Sequence, residues 1–211
     1  HYNIGLILEK QNGDTEEIMK CYQKALSLDP RLAGANRQLG IACLESGKRS
    51  EAVSRLKITL QQKPDDVVAR YFLSIAEGKL PDKDTRTEFV KDLFDHYSAG
   101  FDAHLVERLQ YKVPAIARET LEKIFGNALK FQNMVDLGCG TGLSGIAFRD
   151  CTENMVGIDL SGEMLDRASG RNVYDTLLQG EIGQVLDGLA QKFDFFLAAD
   201  VVVYFQDLTG L

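Results

Sequence analysis

Apolar positions along this chain recur first at helical spacing and later as short runs. Up to about residue 80 they recur at helical spacing. Ile4, Ile18, Tyr22 and Ala25 are followed by Leu39, Ala52, Leu56 and Leu60, then by Val68, Phe72, Leu73 and Ile75. The polar stretch Leu80-Pro81-Asp82-Lys83-Asp84-Thr85 marks a boundary, giving domains 1–81 and 82–211. Lead-in helices fill 86–126. Thr87 reads as an N-cap, and Phe89, Val90, Leu93, Phe94 and Tyr97 share one face. Ser98-Ala99-Gly100 interrupts that helix. A second starts at Phe101-Asp102 and runs through His104, Leu105, Leu109 and Tyr111, and a third runs from Ala115 to about Phe125.

From residue 131 the pattern becomes short apolar runs alternating with helices. Strands are predicted at Phe131–Leu137, Met155–Asp159, Thr176–Gln179 and Phe193–Asp200, the last buried on both faces. Helices follow Gly142 and Ser161, with Glu163 in the first turn of the latter. Such alternation predicts an α/β, doubly wound, Rossmann-like core with a parallel sheet.

The helical half repeats itself. Pro30 and Pro64 stand 34 residues apart, and Leu39-Gly40, Gly47, Ala52 and Leu56 echo Ile4-Gly5, Gly13, Ile18 and Tyr22. Period and form resemble the tetratricopeptide (TPR) repeat over residues 1 to about 80, in about two and a half units. The resemblance implies an all-α repeat module with a groove for a peptide or protein. Asn36, Arg37 and Arg70 are its polar candidates, unless they are solvated surface residues. Docking onto the chain's own second domain is the alternative to an outside partner.

Charge sharpens the division. Residues 1–84 hold 13 Lys+Arg against 12 Asp+Glu, whereas residues 85–211 hold 11 against 19. An overall formal charge of −7 argues against a general nucleic-acid surface. No apolar run approaches the roughly 20 residues that span a bilayer. Cys21, Cys43, Cys139 and Cys151 show no metal-ligand spacing, so no metal site is expected, and they read as reduced thiols of a cytoplasmic protein.

The candidate chemistry lies in Val135-Asp136-Leu137-Gly138-Cys139-Gly140-Thr141-Gly142. Glycine reaches positive φ cheaply and lets a ligand lie on bare backbone. A helix start presents free N–H groups to that ligand. Asp159, 21 residues after Gly138, is placed to accept hydrogen bonds from both hydroxyls of a ribose. Gly140-x-Gly142-x-x-Gly145 also satisfies GxGxxG, which leaves a dinucleotide-dependent oxidoreductase formally open.

The fuller string VDLGCGTG resembles motif I of class I S-adenosylmethionine-dependent methyltransferases. GIDLSGEMLDRA, QGEI and FDFFLAADVVVYF extend the resemblance over residues 89–211. It implies S-adenosyl-L-methionine as cofactor. Asp136 would approach the methionine part, with the Gly138, Cys139 and Gly140 backbone along the cofactor in the loop closed by Gly142. Asp159 would hold the ribose, Leu160 and Met164 would pack near the adenine, and Glu181 and the Ile182 N–H would meet the adenine edge. Ala199 belongs to a small-residue floor. Tyr97, Phe101, Tyr111 and Lys112 are candidates to cover the cofactor. Asp200 and Tyr204 stand where an acceptor would approach, and His96 and His104 are further candidate bases or structural residues. No catalytic base is assigned. The methyl acceptor, small molecule or protein, is not specified by the sequence. A complete core of this class has seven strands and four are predicted here, so the chain reads as C-terminally incomplete. A non-catalytic scaffold that keeps the fold is the alternative to an enzyme.

Overall fold

The computed structural model describes residues 1–126 and 129–205, so the expected end of the second domain, 206–211, lies outside the described residues. Two compact units emerge, His1–Phe89 and Val90–Leu211. The division falls inside a helix rather than in the polar stretch at 80–85.

The first unit stacks α1 (Tyr2–Lys10), α2 (Thr15–Leu28), α3 (Ala33–Glu45), α4 (Arg49–Gln62) and α5 (Val67–Ala76), and α6 (Lys83–Tyr97) begins within it. Side-chain caps set several starts: Asp14 accepts from the Glu17 N–H and Asp66 from the Ala69 N–H. Thr87 is not the cap of α6. Asp82 reaches the helix first, accepting from the Thr85 N–H at 2.8 Å, and the Thr87 hydroxyl donates to the Lys83 carbonyl one turn inside. Small residues let the helices close up. A Cβ on Gly5 would lie 2.4 Å from the Tyr22 ring, and one on Gly40 2.9 Å from Leu56 Cγ. Tyr22, Leu39 and Leu56 are wholly buried in the resulting core. Leu56→Ala should therefore lower the unfolding free energy of this unit by about 2–5 kcal/mol. A urea titration reads it, and a loss under about 1 kcal/mol would contradict the packing.

The polar groove candidates turn out differently from the expectation. Asn36 is fully buried, its amide donating to the Pro30 and Leu32 carbonyls at 3.0 and 3.2 Å. Arg37 is paired with Asp66 and Arg70 with Glu88. One is a structural amide and the other two are held in ion pairs, so none is simply solvated.

In the second unit, α6 ends in a 3₁₀ turn at Ser98–Gly100, and a π-helical turn, Ala103–Arg108, takes the place of the longer helix expected there. Gln110, at φ 51°, ends that turn before Tyr111. Then follow α7 (Val113–Phe125), β1 (Phe131–Leu137), α8 (Leu143–Phe148), β2 (Thr152–Asp159), α9 (Gly162–Ser169), β3 (Thr176–Gln179), α10 (Ile182–Asp187) and β4 (Phe195–Leu197). The four strands are parallel in the order β3-β2-β1-β4. Alternation along β1 sends Met134 to one face with Phe148 and Met155, and Val135 and Leu137 to the other with Val156, Ile158 and Ile182.

β4 is shorter than the expected Phe193–Asp200, and it is not buried on both faces: Phe196 is 53% exposed. Asp194 replaces its first rung, its carboxylate accepting from the Gln132 and Asn133 N–H groups. Beyond Leu197 the chain leaves the sheet, and Asp200 adopts φ 59°. β1 thus lies between β2, which follows it, and β4. The strand order reverses at the carboxyl end of β1, where ligands of doubly wound folds bind. Among the described residues no helix is long and apolar enough to cross a membrane.

Candidate active site

At that switch point β1 runs into Gly138, Gly140 and Gly142, with φ of 67°, 53° and 92°. The Gly138 and Cys139 N–H groups both donate to the Ile158 carbonyl, at 2.8 and 3.0 Å, so the loop is anchored on β2. Asp159 completes the anchor. One carboxylate oxygen accepts from the Gly140 N–H at 2.8 Å and the other from the Ser161 N–H at 2.9 Å. With the Leu160 N–H also acting on it, the carboxylate still has acceptor capacity left for a ligand hydroxyl. Burial raises the Asp159 pKa, against the lowering effect of these N–H donors.

Asp136 is the anomalous group. It is 1% exposed, and the Tyr174 hydroxyl donates to its Oδ2 at 2.7 Å. Its Oδ1 has no hydrogen-bond partner among the described residues. Burial pushes its pKa up to about 7, with the Asp159 charge adding to the effect. Burial likewise raises the Cys139 thiol well above its usual range, so this cysteine is no ready nucleophile. A buried carboxylate oxygen without a donor suits a cationic ligand group.

The lead-in segment is tied to the loop. Asp102 accepts from the Thr141 hydroxyl at 2.5 Å and pairs with Arg171, whose Nε donates to the Thr141 carbonyl at 2.6 Å. The Ser161 hydroxyl donates to Asp95 of α6 at 2.6 Å. These ties bring Phe101 against Gly140, where a Cβ would lie 3.8 Å from its ring. Tyr97 packs edge-on against Phe101 and His104. The Tyr111 phenol is pushed up by burial and by hydrogen bonding to Asp200, with Asp136 also acting on it. Tyr111, Asp200 and Asp136 therefore form one neighbourhood. Tyr204 stacks edge-on with Phe94, 5.4 Å between centroids.

The remaining candidates lie along the same sheet edge. The Gly180 N–H donates to the Asp159 carbonyl at 3.0 Å, which places Glu181 beside that strand end. Glu181 caps α10, accepting from the Gln184 N–H, and the Ile182 side chain enters the core. Met164 is buried, its N–H bonded to the Ser161 hydroxyl, and Leu160 and Ala199 are half-buried. His96 is exposed and bonded to the Asp92 carbonyl, and Lys112 is exposed at the start of α7. Among the described residues no cluster could hold a metal ion. Sequence reasoning missed Tyr174, Asp102 and Arg171. Gly157, a glycine inside a central strand, was the available signal that something bulky approaches.

Residues 134–209 match the model of a methyltransferase domain family. The second unit therefore contains a stretch similar to methyltransferase domains. This sets aside the dinucleotide reading that GxGxxG left open. Among similar proteins, the 18S rRNA (guanine-N(7))-methyltransferase of Bos taurus is 38% identical over 69 residues, 33% of this chain and 25% of that protein. An uncharacterised RNA methyltransferase of Protochlamydia amoebophila is 34% identical over 105 residues, 44% of this chain and 23% of its own length. The matched stretch thus spans about a quarter of these relatives. Magnesium protoporphyrin IX methyltransferase from Synechocystis PCC 6803 with bound SAH aligns at 21% identity and TM-score 0.42, covering 57% of this chain and 61% of the other. The donor set at the glycine loop suits such a cofactor: positive-φ backbone at Gly138 and Gly140, the Asp159 carboxylate beside it, and an Asp136 oxygen without a partner among the described residues.

Proposed function

We propose that the chain catalyses methyl transfer from S-adenosylmethionine to an acceptor, and the buried, half-paired Asp136 at the glycine loop is the observation that carries this reading. Asp136 receives the ammonium of the methionine part. Asp159 accepts from the ribose hydroxyls while holding the Gly140 N–H in place. The Gly138–Gly140 backbone lies along the cofactor, Leu160 and Met164 flank the adenine, and Glu181 with the Ile182 N–H meets its edge. Ala199 floors the site, and Tyr111, with Phe101 and Tyr97, closes it from the lead-in side. The bound cofactor supplies a methyl group already activated by its sulfonium, so the chain's task is to align the acceptor and exclude water. Asp200, beside Tyr111, is positioned to take a proton from an acceptor that must lose one.

The relatives' names favour RNA as the acceptor class. With the charge of residues 85–211 so acidic, such an acceptor would be gripped locally rather than by a broad basic surface. The helical unit acts as a tetratricopeptide-like module that recruits a partner. Calorimetric titration of S-adenosylmethionine tests the central reading. The wild-type chain should bind it, and Asp159→Ala should weaken binding at least about tenfold, the scale of losing hydrogen bonds to a charged group. No heat at millimolar cofactor would favour a non-catalytic scaffold. Unchanged affinity in the variant would remove the ribose assignment.

A further inference from the structure

We infer that Tyr174 is a positioning residue for the cofactor's ammonium: its hydrogen bond favours the ionised form of Asp136 and turns it so that Oδ1 is the oxygen left for the ligand. The inference rests on the cofactor reading above. Its geometric basis is a pocket for the Tyr174 ring made entirely by missing side chains. A Cβ on Gly145 would lie 2.6 Å from Tyr174 Cζ and 2.7 Å from its hydroxyl. A Cβ on Gly157 would lie 3.1 Å from Cδ1, and one on Gly142 3.1 Å from Cε2. Gly142 and Gly145 belong to the glycine loop and its helix, and Gly157 pairs with Asp136 in the β1–β2 register. The ring is therefore gripped from the loop, from α8 and from β2 at once.

This grip fixes one atom. The hydroxyl donates to Asp136 Oδ2 at 2.7 Å and accepts from the Gly145 N–H at 3.2 Å. With its acceptor side occupied by a backbone N–H, the hydroxyl has only its proton to offer, and that proton goes to Asp136. Oδ2 is thereby taken, and Oδ1 stays free. The groups acting on Asp136 are Tyr174 ahead of β3, Asp159 at the end of β2, Cys139 in the loop and Tyr111 ahead of α7. None of them carries a positive charge. Tyr174 is accordingly the hydrogen bond that favours the ionised form, against burial and Asp159. Its own proton is secure, because burial and the Asp136 charge raise the phenol far above neutrality.

A purely structural ring would affect binding equally at every pH, and a positioning hydroxyl would not. The test is calorimetric titration of S-adenosylhomocysteine into the 211-residue chain and its Tyr174→Phe variant from pH 6 to pH 9. Taking the ratio of the two affinities at each pH cancels the ligand's own titration. The variant should bind about tenfold more weakly at pH 7, and the deficit should shrink toward pH 9 as Asp136 ionises without help. Gly145→Ala, whose methyl displaces the same hydroxyl, should give the same pH-dependent deficit and supplies the test if Tyr174→Phe fails to fold. A deficit constant across pH, or none, overturns the assignment while leaving the cofactor reading intact. A wild-type chain that binds at no pH overturns both.

Discussion

Asp136→Asn should make the chain more stable at pH 8 while abolishing cofactor binding. The carboxyl is fully buried and its pKa is pushed up to about 7, against 3.8 for the unperturbed group. A raised carboxyl pKa means that the folded state holds its proton more tightly than the unfolded state. The favourable contribution is whole below about pH 4, declines as pH rises, and is gone above about pH 7. The gap corresponds to something on the order of 4 kcal/mol lost across that window. Asparagine cannot ionise, yet its carbonyl still accepts from the Tyr174 hydroxyl. The difference in unfolding free energy between variant and wild type should therefore rise by something on the order of 4 kcal/mol from pH 4 to a plateau above pH 7. Part of the gain is offset by about 1–3 kcal/mol, because the new amide brings donors into a site with no partner for them. Urea titrations at a series of pH values measure this, and a difference that does not vary with pH would show that Asp136 is not the buried acid described. On the proposed cofactor reading, the same change removes the charge that would pair the ligand's ammonium, so stability and binding should move in opposite directions.

Gly138→Ala should abolish cofactor binding and destabilise the second unit by roughly 2–4 kcal/mol, combining backbone strain with overpacking. At φ 67° an added Cβ is strained, and it would lie 2.4 Å from Val201 Cγ2. The clash reaches Val201 Cβ as well, at 2.8 Å, so a change of side-chain rotamer alone does not relieve it. Displacing Val201 separates Asp200 from Tyr111 and opens the floor of the site. Gly47→Ala is the control, since Gly47 has φ 76° with nothing within 4 Å of its Cβ position. It should cost only about 1 kcal/mol, the strain alone. Equal losses at the two positions, read as shifts in the urea midpoints of the two units, would mean that the Val201 contact does not restrict Gly138.

Much of this was legible in the chain itself. β1 and β3 lie where the apolar runs place them, and Ser161 caps α9 as expected, because those signals are local: unbroken hydrophobicity between turns, or a hydroxyl three residues before an N–H. β2 begins three residues earlier than its apolar run, at Thr152, since pairing with Phe131 extends it. β4 fails the local rule. Its composition suits a two-sided interior, but Asp194 turns aside to bond the β1 backbone, and only three residues join the ladder.

The sequence by itself determined the parallel core, the positive-φ glycine loop and the acids at the ends of β1 and β2. Each follows from short-range physics: periodicity, the missing Cβ, the side-chain cap. Only the tertiary structure decided which groups meet across long stretches of chain. Tyr174 reaches Asp136 from 38 residues away, and Asp102 meets Arg171 from 69. No local pattern encodes those pairs, because they depend on parallel strands laid side by side and on a ring that fits only where three glycines leave room. They also decide the chemistry, since the same Asp136 is an ordinary strand residue until burial raises its pKa and the Tyr174 hydrogen bond leaves it one free oxygen.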